Sequence, residues 1–259
     1  MTRSVIALIG SLILLSAAYA EELNELKGDH FIVYYAQNEA SAKEVLRQAE
    51  RYYSKIADDL GYPRYSNFWS WDNRVKIYLH ASMADFQKAT GQPAWSHGMA
   101  SYFDKTIHSF EANAKFLNSI LPHEITHLIF RDFVGLQGEV PLWMDEGVAQ
   151  WEEAGKREDA KKFARELVSR DNVFSIRYLT QMDIRQETDE NKVHLFYLQA
   201  VSLVDFLITK YGPARFTLFC RNLRDQKPLD AALSSAYTGL IQNVEELDAK
   251  WKKHALEAA

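Results

Sequence analysis

Residues 121–130 read Leu-Pro-His123-Glu124-Ile-Thr-His127-Leu-Ile-Phe, two histidines four apart with a glutamate directly after the first. On a helix, positions i and i+4 lie one above the other, so both imidazoles can be turned to a single point. Glu124 stands beside that face, where its carboxylate can reach a water without being a ligand. Neutral imidazoles suit zinc, which lowers the pKa of a bound water towards ~7. A carboxylate in that place can take a proton from water attacking a carbonyl and pass it to the leaving amine. Two histidines leave a three-ligand catalytic site one short. Glu146, in Pro-Leu-Trp-Met-Asp145-Glu146-Gly147-Val-Ala-Gln-Trp over 141–151, is an acid on a second helix one loop later. Its neighbours Leu142, Trp143, Val148 and Ala149 imply that this helix is buried, and a buried carboxylate without a partner is costly, whereas a metal-bound one is satisfied. Asp145 reads as an acid favoured by the helix dipole or as a group that orients a ligand from behind it.

The elements that must position these groups follow from apolar spacing. Residues 114–130 are strongly helical apart from Pro122, and Gly135 and Gly138 mark the loop that closes them. The second helix starts at Pro141, where proline suits a first turn. Upstream, strands and helices alternate. His30–Tyr35 and Arg74–Leu79 read as strands. Asn38–Leu60 carries apolar residues at helical spacing and is stopped by Gly61 and Pro63. Tyr65–Asp72 is an aromatic loop expected to pack inward. Ser82 caps a short helix that ends at Gly91–Pro93. Gly98–Phe103 and Thr106–Phe110, joined by Asp104-Lys105, read as a hairpin. Downstream, helices are expected at about 156–169, 192–210, 213–223 and 243–257, with 171–191 a long loop.

The two motifs together, separated by eighteen residues, resemble the gluzincin metallopeptidases. The spacing is similar to that of the aminopeptidase N-like branch and of small bacterial peptidases with the same core. The resemblance implies an α+β, zincin-like fold: a small mixed sheet with the active-site helix, followed by a helical lobe. It implies one zinc per chain on His123, His127 and Glu146, Glu124 as the base, and peptide or protein substrates. Gly98, Met99 and Ala100 resemble the strand on which such enzymes lay the substrate backbone. Ala100 stands where aminopeptidases carry the glutamate that grips a free amino terminus, so cleavage of internal bonds is the expectation. Family members steady the developing oxyanion with a tyrosine or histidine from a downstream helix. Tyr197 is the expected donor, with His194 and Tyr211 as alternatives.

The bulk properties fit such a protein. The 259 residues are 47% hydrophobic and 25% charged, ordinary globular composition. Arg3, the apolar run Val5–Ala18 and the small residues Ala18 and Ala20 read as a secretory signal over 1–20, leaving a domain at 21–259 with a sheet-containing lobe at 21–132 and a helical lobe at 141–259. No segment after residue 20 reads as a bilayer span. Removing Arg3 takes the formal charge of −5 to −6, a balance that argues against nucleic acid or an anionic membrane as partner. A lone cysteine, Cys220, excludes an internal disulfide. With no N-x-Ser/Thr sequon either, export to a bacterial periplasm or exterior is expected. Two other functions share these residues: a zincin fold kept as a silent binding or assembly module, and a zinc hydrolase of a non-peptide bond.

Overall fold

The computed structural model describes residues 23–61, 69–93, 96–135 and 140–257. A five-stranded mixed sheet is built from β1 (Asn24–Lys27), β2 (Phe31–Tyr35), β3 (Val75–His80), β4 (Met99–Ser101) and β5 (Thr106–Phe110), in the order β1-β2-β3-β5-β4. β2, β3 and β5 run parallel, and the two edge strands are antiparallel to their neighbours. Alternation along the strands puts Phe31, Val33, Ile77, Leu79 and Ile107 on one buried face. Against it pack α1 (Glu39–Asp59) and α3 (Leu121–Val134), while α2 (Met83–Thr90) packs on β3 and β5. Asn38 and Ser82 cap α1 and α2 through their side chains, accepting from the Ser41 and Asp85 amides.

After α3 the described residues form helices and turns only: α4 (Leu142–Trp151), α5 (Lys156–Ser169), α6 (Ile176–Gln181), α7 (Glu190–Tyr211), α8 (Pro213–Arg224), α9 (Leu229–Ala236) and α10 (Val244–Glu257). α7 is the hub, packing on α4, α5 and α8. A charged network ties this half to α1: the buried Glu152 accepts from Lys55 Nζ at 2.6 Å and from Arg157 Nη2 at 3.2 Å. The expected α+β class, a small mixed sheet with helices, is what the chain adopts.

Several local expectations are corrected. The stretch 171–191 is not a plain loop: it contains α6, capped by Ser175, and a 3₁₀ turn at Ile184–Gln186. Only Ile176 and Leu179 of α6 are buried, too few to register as a periodicity. β1 and α9 were not expected from the sequence either, both being short. The hairpin strand expected at Gly98–Phe103 is limited to Met99–Ser101. Of the aromatic segment 65–72, residues 65–68 lie outside the described residues; Trp69 is buried as expected, whereas Trp71 is exposed. The secretory signal expected at 1–20 also lies outside them. By length and composition α7 could cross a bilayer, contrary to expectation; here eleven of its residues are buried inside the protein.

The segment 114–134 is not one α-helix. Pro122 has no amide hydrogen for the Asn118 carbonyl, so the α ladder cannot run through it. Phe116–Ile120 widens into a π turn and α3 begins at Leu121. The Asn118 carbonyl instead accepts from the Ala154 amide at 3.3 Å, tying the end of α4 to the start of α3.

Candidate metal centre

His123 and His127 project from the first two turns of α3, and their Nε2 atoms lie 3.0 Å apart. Glu146 comes from α4, its Oε2 3.8 Å from His123 Nε2 and 3.9 Å from His127 Nε2. Donors each about 2.0–2.1 Å from a tetrahedral zinc sit about 3.3 Å from one another. One ion therefore fits between these three atoms with small side-chain adjustments, and two imidazoles with one carboxylate are a donor set that suits it. Among the described residues this is the only group of three or more histidine, cysteine or acidic side chains so arranged.

Both imidazoles are held from behind by carboxylates. His127 Nδ1 meets Asp145 Oδ1 at 3.1 Å, and His123 Nδ1 meets Glu153 Oε1 at 2.8 Å. With Nδ1–H donating to the acid, the Nε2 lone pair of each ring is turned to the shared point. The acids are fixed in turn. Asp145 Oδ2 accepts from Arg131 Nε at 3.1 Å and Nη2 at 2.6 Å. Glu153 Oε2 accepts from Ser119 Oγ at 2.5 Å. Burial pushes the Asp145 carboxyl upward, but His127 and Arg131 outweigh it and hold it below the usual carboxylate range. Burial would likewise depress the His127 imidazole, yet Asp145, Glu146 and Glu124 hold it up to about 9. The centre is one that favours positive charge.

Glu153 and Arg131 were missed from sequence. Glu153 stands two residues past the end of α4, so no helical spacing announces it. What fixes it is the Ala154–Asn118 bond set up by Pro122. Glu153→Gln is expected to weaken divalent-metal binding about 10- to 100-fold, as removal of such supporting partners does. Competition against a chromophoric chelator measures this, and circular dichroism checks that helix content is kept.

Of the other expected residues, Glu124 is half-buried on α3 beside the centre, with no side-chain hydrogen bond or ion pair among the described residues. Tyr197 lies on α7, which packs on α4; burial, and after it the nearby Glu146 carboxylate, push its phenol well up. Gly147 makes this approach possible: a Cβ there would lie 2.6 Å from the Ala200 carbonyl oxygen of α7. His194 is exposed and faces a separate groove with Leu167 and Phe174. Tyr211 meets Phe206 and Tyr237 edge to face, fourteen residues or about 21 Å along α7 from Tyr197.

Met99 and Ala100 lie on edge strand β4, which pairs with β5 on one side and packs against α3. Gly98 precedes them, and a Cβ there would collide with Ile120 at the root of α3. Lys105, in the turn after β4, donates to Asp132 of α3 at 3.1 Å. Edge strand and histidine helix are thus fastened together. His108 stacks on Tyr78 and is paired with His80 on the sheet face opposite Ile107, so it takes no part in the centre.

No curated protein matches the sequence. A family model does, over residues 69–257, a span that takes in β4, the histidine helix, Glu146 and Tyr197 alike. With nearly three quarters of its length matched, this chain belongs to the Peptidase MA superfamily, a zincin-like family of peptidases.

Proposed function

We propose that the chain is an exported zinc-dependent endopeptidase. The observation that carries the reading is the convergence of His123 Nε2, His127 Nε2 and Glu146 Oε2, with a carboxylate behind each imidazole. His123, His127 and Glu146 would hold the ion. When bound, zinc polarises a carbonyl and makes water a better nucleophile at neutral pH. Glu124, with no partner of its own, accepts the proton of the attacking water on its carboxylate and delivers it to the leaving nitrogen. Tyr197 donates its hydroxyl to the carbonyl oxygen as negative charge develops there. Among the described residues no strand pairs with the outer edge of β4, whose backbone groups can take an extended peptide, a common mode of peptide recognition. Ala100 supplies no carboxylate to bind a terminal amine, so internal bonds are the substrate.

In this reading, residues 1–20 direct export and are removed. Residues 21–259 then act as one unit in a bacterial periplasm or outside the cell, with the sheet-bearing part to 132 and the helical part from 141 flanking the substrate cleft. Neither nucleic acid nor membrane is a partner. Incubation of zinc-loaded protein with a mixed peptide library, read by mass spectrometry, tests the function. Internal cuts are expected that vanish with a chelator, return with zinc, and fall about 10²- to 10³-fold in Tyr197→Phe, the usual effect of losing an oxyanion donor. Trimming from the amino terminus alone would overturn the endopeptidase assignment.

A further inference from the structure

A cavity of about 710 Å³ opens at the N-terminal end of α4. The exposure pattern of α4 connects it to the metal centre. The residues of α4 are buried except Leu142, Glu146 and Gln150, four apart, which form a single open stripe. Leu142 lines the cavity, so the cavity starts one helical turn, about 6 Å along the axis, from Glu146. On its other wall stands Arg185. The charge of Arg185 is reinforced first by Asp183, against burial, and to a lesser extent by Glu146 and Asp145.

The lining has a definite chemistry. Leu142, Met182 and Leu229 supply apolar surface. Asp183 and Arg185 cancel, their side chains joined at 2.7 Å and 2.9 Å. Lys227 is not cancelled: its Nζ rests on the neutral acceptors Asn222 Oδ1 at 2.8 Å and Ser235 Oγ at 3.3 Å, with no carboxylate partner among the described residues. Among the described residues that line it, the cavity thus carries a net positive charge in a chain of formal charge −5.

We propose that this cavity is the specificity subsite of the centre, taking a peptide segment that lays apolar atoms on Leu142, Met182 and Leu229 and pairs a carboxylate with Lys227. The assignment rests on the peptidase reading for its substrate class, and its test is kept independent of turnover. Zinc-loaded Glu124→Gln protein is titrated with fluorescent peptides that differ only by Glu, Gln or Lys at successive positions. At one position the Glu peptide is expected to bind about fivefold tighter than the Gln peptide, in the range of a solvent-accessible ion pair. Adding Lys227→Met should erase that preference. Adding Lys227→Glu should invert it towards the Lys peptide, with zinc content unchanged. Equal binding of all three peptides, or a preference that survives both Lys227 substitutions, overturns the subsite. Lys227-dependent binding to a protein whose wild type cuts nothing removes the peptidase reading and leaves the subsite. Cutting by the wild type without any Lys227 dependence does the reverse.

Discussion

Glu124→Gln should bind one zinc per chain as the wild type does and lose peptide hydrolysis by about 10²- to 10⁴-fold, the contribution of a well-placed general base. The two effects separate because Glu124 is not among the three converging donors. It has no hydrogen-bonded or ionic side-chain partner among the described residues, so an amide of the same shape strands nothing. Its charge does help to raise the pKa of the His127 imidazole, but after the larger contributions of Asp145 and Glu146. Zinc titration and peptide turnover measured on one preparation check the prediction. A metal-free variant would mean that Glu124 holds the ion, and an active one that the proton moves elsewhere.

Gly147→Ala should damage stability and the centre together. Its new Cβ would lie 2.6 Å from the Ala200 carbonyl oxygen, and 2.9 Å from both the Ala200 carbonyl carbon and Val204 Cγ2. Backbone of a buried helix cannot swing aside as a side chain can, so α4 and α7 must separate. Overpacking of this kind costs about 1–3 kcal/mol, which lowers the melting temperature by about 2–4 °C per kcal/mol in a chain of this size. Glu146 stands next to the glycine on one helix, and Tyr197 precedes Ala200 by three residues on the other. The same separation that destabilises the fold therefore draws Glu146 away from Tyr197. A thermal scan with and without zinc is the measurement; an unshifted midpoint would mean that the helices do not meet as closely as 2.6 Å implies.

Much of this architecture could be read from local residue order. The i, i+4 pair His123 and His127 fixes one face of one helix, and Glu146 stands out as an acid in an apolar run, so short-range periodicity sufficed for the three donors. Caps such as Asn38 and Ser82 declare themselves because their partners are three residues away. What stayed hidden depends on contacts remote in sequence. Glu153 supports His123 thirty residues away, through a backbone bond that exists because Pro122 interrupts a helix. Arg131 meets Asp145 across a loop. The roles of Tyr197 and His194 separate only when the rotation of α7 is known: three residues apart, one faces Glu146 and the other an exposed groove. Short elements such as β1, α6 and α9 escape because a few buried residues make no detectable period, and tertiary packing alone decides them.

The central claim is that His123, His127 and Glu146 hold a single metal ion. Equilibrium dialysis of the wild type and His127→Ala against zinc, with bound metal counted by mass spectrometry, tests it most directly. One tightly held zinc per wild-type chain and none in the folded variant is the predicted result. A folded wild type that binds no zinc, or a variant that keeps it, would contradict the claim.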